Sequence, residues 1–131
     1  AKGIIRTNYA LPAGPYGQAY YGRGLVQITW YDNYLRLGER LGLGTKLAQD
    51  PDLALDPDIA IDLLFVGMEE GLYTGRKLAD YDLPSEFREA RRIINGDVRK
   101  NGEMIADQAR HFYTALENEY DRADFWSALR G

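Results

Sequence analysis

A mainly α-helical fold is what this sequence predicts, and three observations predict it. Apolar residues recur at helical spacing in several segments, helix-capping residues stand at the head of most of them, and strand signals are almost absent. The size fits a single domain over residues 1–131. Of these, 45% are hydrophobic and 27% charged, enough to build one core without a disulfide or metal.

The elements follow in order. Residues 1–24 form an irregular N-terminal segment: Ile4 and Ile5 suit the tail of a helix too short to stand alone, and Pro12, Gly14, Pro15, Gly17, Gly22 and Gly24 punctuate a loop. Leu25 to Thr29 alternates in the manner of a short strand or extended run. Thr29 and Asp32 then make a Thr-x-x-Asp capping pattern for a helix over about residues 30–41, with Tyr34, Leu35, Leu37 and Leu41 on its apolar side and Gly42 and Gly44 at its end.

Residues 50–61 repeat one phrase, Asp-Pro-Asp-Leu-Ala-Leu and then Asp-Pro-Asp-Ile-Ala-Ile. With Asp50 and Asp56 as N-caps and proline at the first helical position, the phrase predicts a short helical turn and a longer helix over about 57–72. That helix is apolar nearly all round and is expected to be buried and central. Ser85 after Pro84 opens a further helix, with Phe87, Ala90, Ile93 and Ile94 on one face, that ends at Asn95-Gly96. A last long helix, over about 103–120, repeats Ile105, Ala109, Phe112, Leu116 and Tyr120. The tail 121–131 holds Phe125, Trp126 and Leu129, enough to dock a final turn.

The net charge of −4 is unevenly spread. Residues 1–31 hold Lys2, Arg6 and Arg23 and no acid, so all 20 acids lie from Asp32 onward. Net acidity argues against a nucleic-acid partner, since phosphate binding draws on Lys and Arg. No apolar stretch approaches the roughly 18–20 residues of a membrane span, so no membrane partner is expected. The chain begins with Ala rather than Met, and the expectation is that something preceded it. No cysteine and one histidine leave no thiolate or multi-histidine metal centre, and capping accounts for Asp50 and Asp56 without a metal. Gly22-Arg23-Gly24 lacks the ending of a phosphate loop. His111, in the last helix, reads as a surface residue rather than a general base.

The concentrated polar information lies in residues 20–34. In an extended run Gln27 and Thr29 point to one side, and Asn33 lies a helical turn beyond, so three neutral hydrogen-bonding groups share one wall. Tyr21 and the neighbouring Tyr and Trp rings offer flat faces suited to stacking on sugars. The competing reading makes Gln27 and Thr29 partners of buried backbone and the aromatics part of the core.

Tyr20-Tyr21-Gly22-Arg23-Gly24-Leu25-Val26-Gln27-Ile28-Thr29 closely resembles the signature of glycoside hydrolase family 19, the chitinases and related phage and bacterial endolysins. Ala90-Arg91-Arg92-Ile93-Ile94-Asn95-Gly96 resembles a second segment of that family, and the likeness covers about residues 8–118. The resemblance implies a lysozyme-like helical fold, no cofactor, and a partner that is a β-1,4-linked N-acetylglucosamine glycan, peptidoglycan or chitin. It assigns sugar contacts to Gln27, Asn33 and Asn95, water positioning to Thr29 and a structural role to Arg23. The repeat phrase resembles the bacterial or prophage branch, and that likeness together with the absence of cysteine leans toward peptidoglycan at the bacterial cell wall.

The family's inverting mechanism needs two carboxyl groups, one to protonate the leaving oxygen and one to activate water. The resemblance places both glutamates ahead of the Tyr-Gly-Arg-Gly segment, where this sequence has no acid, so the chain is expected to be truncated at its N-terminal end relative to the family. Asp32, Glu69, Glu70 and Asp97 read as helix-capping or solvated residues rather than replacements. Two expectations stand side by side: a glycan hydrolase whose catalytic region is missing, or a pseudoenzyme that binds glycan or protein without cleaving. A purely structural role has no positive sign.

Overall fold

Most of the helical signals in the sequence are realised, and the fold is mainly helical. The structure, a computed structural model, describes residues 8–119. Expectations for Ile4, Ile5 and the apolar tail at Phe125, Trp126 and Leu129 lie outside the described residues. Its contacts divide the chain into two compact units, Ala1–Leu72 and Tyr73–Gly131.

In the first unit the loop expected over 10–24 contains a small hairpin. Strands β1 (Pro12–Ala13) and β2 (Gln18–Ala19) are antiparallel, Pro12 opposite Ala19 and Ala13 opposite Gln18. Gly14 and Gly17, both at φ 67, turn the chain between them. Gly14 has a second reason to be glycine, because a Cβ there would lie 2.8 Å from the Tyr31 ring.

Helix α1 (Tyr31–Arg40) ends where glycine predicts. Gly42 takes φ 75, its N–H donates to the Glu39 carbonyl and the Leu43 N–H donates to the Gly38 carbonyl, which together close the last turn. The start differs from expectation. Thr29 does not cap the helix: Trp30 holds the N-cap position, with no side-chain bond. Helix α1 buries Tyr34, Leu37 and Gly38, and a Cβ on Gly38 would stand 2.9 Å from the Leu47 Cβ. That close approach seats α2 (Lys46–Gln49), which buries Leu47 and Ala48.

The two copies of the repeat phrase fold differently. Pro51–Leu55 is a 3-10 turn, and Pro57–Glu70 is helix α3. Asp56 caps α3 as expected, accepting from the N–H groups of Asp58 and Ile59. Asp50 makes no such bond; only its backbone carbonyl accepts, from Leu53. Helix α3 is not buried all round either. Ala60, Leu63 and Gly67 face the core, while Ile61 and Phe65 are exposed. The core of this unit is Tyr20, Ile28, Tyr34, Leu37, Leu47, Ala48, Ala54, Ala60 and Leu63. Each large apolar side chain among them contributes about 1.5–3 kcal/mol by leaving water.

In the second unit, Leu78–Asp80 is a 3-10 turn, and the helix expected after Ser85 is split into α4 (Phe87–Ala90) and a 3-10 turn, Arg91–Ile93. Ser85 does not cap it. The Ser85 hydroxyl turns back to Asp82, and the Glu86 carboxylate accepts from the Asp82 N–H. Helix α5 (Val98–Glu119) starts about five residues earlier than the sequence suggests. It buries Val98, Gly102 and Ala106, while Phe112 and Leu116, expected on its inner face, are exposed. The Thr74 hydroxyl reaches the carbonyls of Arg92 and Ile93 at 2.5 and 3.0 Å and ties the first loop of the unit to the 3-10 turn.

Candidate functional site

Residues 20–34 of the first unit do not run as a strand. Arg23 and Ile28 exchange backbone hydrogen bonds of 3.3 and 3.1 Å and close a four-residue turn, Gly24–Gln27. Gly24 sits at φ 76 and Gln27 at φ 55, so the period-two argument that put Gln27 and Thr29 on one wall does not hold. The alternation of Leu25 to Thr29 was overridden by Gly24, whose Cα packs against the chain after α2. A Cβ on it would lie 2.8 Å from the Ala54 carbonyl oxygen.

Each sequence-predicted residue has a definite place. Gln27 is exposed; its Nε2 donates to the Gly24 carbonyl at 2.9 Å, and its Oε1 lies over Gly22, where a Cβ would come within 2.7 Å. Thr29 is half-buried, and its hydroxyl has no partner among the described residues. Asn33 is half-buried and mainly local in its bonding. Its Nδ2 donates to the Thr29 carbonyl at 2.8 Å, and its Oδ1 accepts from Arg36 at 3.2 Å. Tyr21 is exposed, with the Arg23 guanidinium 3.8 Å from its ring centroid. Asn95 belongs to the second unit, where it is exposed and its Oδ1 accepts from the Asp97 N–H at 3.1 Å.

The aromatic residues divide into a buried pair and an exposed set. Tyr20 and Tyr34 are buried with ring centroids 5.2 Å apart; the Tyr20 hydroxyl donates to the Ala48 carbonyl and the Tyr34 hydroxyl to the Tyr21 carbonyl, both at 2.7 Å. Burial raises the pKa of both phenols, and at Tyr34 the hydrogen bond from Arg23 opposes the rise. Tyr9, Tyr16, Tyr21 and Trp30 are instead 36–45% exposed. Tyr9 meets Trp30 edge-on at 5.4 Å, and Tyr16 leans on Tyr31 at 6.4 Å.

Trp30 is the residue that sequence reasoning underrated, counting it only among the flanking rings. Its backbone lies at φ 75 and ψ 139, a conformation that side chains with a Cβ rarely adopt. Hydrogen bonds hold it there from both sides. Its N–H donates to the Tyr20 carbonyl at 2.9 Å, and its carbonyl accepts from Asn33 and Tyr34 at the start of α1. No sequence signal marks the strain, because only the surrounding fold imposes it.

Several carboxylates are engaged by arginine. Asp52 accepts from Arg23 at 2.9 Å, Glu70 pairs with Arg40 through both oxygens, and Glu89 pairs with Arg88 and Arg92. Asp97, read from sequence as a solvated residue, accepts from Arg91 at 2.8 and 3.2 Å and from Asn101 at 2.6 Å. The pKa values of Glu70 and Glu89 are lowered by their arginine partners, and that of Asp97 is lowered to about 2 by Arg91 and then Asn101. Such groups stay ionised, the opposite of what a general acid needs. His111 is exposed, with Nδ1 2.7 Å from the Asp107 carbonyl oxygen. Among the described residues there is no acid or histidine cluster suited to a metal, and no helix is long and apolar enough to cross a membrane.

Comparison of the chain with family models, curated proteins and solved structures found no match.

Proposed function

We propose that this chain binds β-1,4-linked N-acetylglucosamine glycan, peptidoglycan or chitin, through the exposed aromatic surface around residues 9–33, and does so without cleaving it. The observation that carries the reading is Trp30: a large ring kept at the surface on a strained backbone, beside exposed Tyr9 and within the same segment as exposed Tyr21. Strain of this kind costs about 1–3 kcal/mol and persists at sites where a side chain must be presented in one way. Flat rings stack on the apolar faces of pyranose sugars, while the Gln27 amide and the Thr29 hydroxyl are the polar groups available to sugar hydroxyls and acetamido groups. The likeness of Tyr20–Thr29 and Ala90–Gly96 to family 19 supplies the glycan class.

Cleavage by inversion would need a carboxylic acid and a carboxylate facing each other across the sugar, about 6.5–9.5 Å apart. Residues 1–31 contain no acid, and arginine partners hold the carboxyls of Glu70, Glu89 and Asp97 below the usual range, which counts against any of them as the general acid. The direct test is calorimetry of the 131-residue chain with N-acetylglucosamine oligomers and soluble peptidoglycan fragments, with reducing-end release followed in parallel. Binding without release supports the proposal. Release that disappears on substituting Asp32 or Glu69 would instead show a hydrolase with relocated carboxylates, and absence of binding to either glycan would reject the reading.

A further inference from the structure

Arg23 is an unusual residue for a domain of this size. A guanidinium loses its hydration when buried, and that loss must be matched by hydrogen bonds or charge. Here the side chain is only 6% exposed, yet its one carboxylate partner among the described residues, Asp52, stands 68% exposed at 2.9 Å. Its other partners among the described residues are neutral. Nη1 donates to the Ala19 carbonyl at 2.9 Å and to the Tyr34 hydroxyl at 3.2 Å, and the guanidinium carbon lies 3.8 Å from the centroid of the Tyr21 ring. The Tyr34 hydroxyl passes the connection on, donating to the Tyr21 carbonyl. Tyr21 is therefore gripped twice, at its backbone by Tyr34 and at its ring by Arg23.

The grip has a direction. A planar cation 3.8 Å from the centroid covers one face of the ring, and Tyr21 nevertheless remains 44% exposed. An exposed tyrosine ordinarily samples several rotamers and loses that freedom on binding a ligand. A ring already held against a buried guanidinium has lost much of that freedom before any ligand arrives.

From this geometry we infer that Arg23 is a positioning residue that fixes Tyr21 as a one-sided stacking platform for a sugar ring of the glycan. The inference rests on the glycan-binding reading above and adds to it the subsite and the residue that prepares it. Tyr21 supplies the contact with the sugar. Arg23 touches no ligand and acts only through the ring. The arrangement also explains the planar cation, since lysine offers a point charge in place of a flat surface that stacks on an aromatic face.

The test uses the 131-residue chain with tyrosine rings labelled for NMR and an N-acetylglucosamine oligomer as the probe. In the unliganded protein, the Tyr21 ring is expected to be nearly as ordered as buried Tyr20 and Tyr34 and more ordered than exposed Tyr16. Arg23→Lys should drop Tyr21 to the order of Tyr16 and weaken oligomer binding about five- to tenfold, the range expected for losing a held aromatic contact. Asp52→Asn, which removes the surface ion pair and leaves the stack, should change neither. Tyr21→Leu serves if Arg23→Lys fails to fold, and should weaken binding to a similar extent, with Tyr21→Phe restoring it. A Tyr21 ring as mobile as Tyr16 in the wild-type protein, or full affinity in Tyr21→Leu, would overturn the inference. Absence of wild-type binding would reject the glycan reading instead, and the ring order would still decide whether Arg23 holds the platform.

Discussion

The Arg91 guanidinium grips both oxygens of Asp97, at 2.8 and 3.2 Å, and so clamps the Asn95-Gly96 turn between the 3-10 turn Arg91–Ile93 and helix α5. Asn101 adds a third hydrogen bond to the same carboxylate, and the Asp97 N–H returns one to Asn95. A fork-to-carboxylate pair of this kind fixes direction as well as distance. It is what orients the exposed Asn95 amide.

The clamp gives the protein an acid-sensitive component of stability. The Asp97 carboxyl falls from 3.8 to about 2 in the folded state, chiefly through Arg91 and then Asn101. A folded pKa below the unfolded one means that the contribution is complete above pH 3.8 and is lost as pH falls through about 2. Asp97→Asn is thus expected to melt below the wild type at pH 7, with the two converging near pH 2. Thermal melts across that range check it; a gap that stays constant with pH would show that the ionised carboxylate is not what stabilises the turn.

Gly24→Ala tests the turn that replaced the expected strand. The substitution places a Cβ at φ 76 and 2.8 Å from the Ala54 carbonyl oxygen, so it combines backbone strain with a clash against chain that cannot rotate away. It should cost about 1–3 kcal/mol or more. Gly17→Ala, at φ 67 with open space around it, meets strain alone and should cost less. Urea denaturation of both variants measures the difference, and equal losses would mean that the approach to Ala54 carries no energy.

How much of this was legible in the sequence depended on how local the cause was. The start of α3 could be read because Asp56 and Pro57 act on their immediate neighbours. The same proline explains why the first copy of the repeat is only a short turn: it forces Asp56 to ψ 127 and stops the 3-10 turn at Leu55. The end of α1 at Gly42 was legible for the same reason. The turn Gly24–Gln27 was not, since it depends on Arg23 reaching the Tyr34 hydroxyl on α1, 11 residues on, and on Gly24 meeting Ala54, 30 residues on. Of the candidate site, Tyr21, Gln27 and Thr29 were marked by residue type, and the strain at Trp30 was invisible because no local pattern encodes it.

Helix α3 offers a contrast that composition obscures. Its apolar residues look interchangeable in sequence, yet Leu63 is 1% exposed and Phe65 54%. Leu63→Ala should cost about 2–5 kcal/mol through lost burial and the cavity it leaves, whereas Phe65→Ser should fall within about 0.5 kcal/mol of the wild type. Chemical denaturation of the two variants is sufficient. A large loss in Phe65→Ser would mean that this face of α3 is covered in solution.

Trp30 allows stability and binding to be pulled apart. Trp30→Ala removes the ring and keeps a Cβ on a backbone at φ 75, so the strain stays; Trp30→Gly removes both. Releasing strain of about 1–3 kcal/mol is offset by the greater freedom of glycine in the unfolded chain, worth up to about 1 kcal/mol. Trp30→Gly should therefore be more stable than Trp30→Ala by about 1 kcal/mol, while both lose affinity for N-acetylglucosamine oligomers to the same degree. Denaturant titration and calorimetry on the same two proteins decide the matter. If glycine brings no stability over alanine, the backbone is not strained at Trp30; if either variant keeps full affinity, the ring is held at the surface for something other than the glycan.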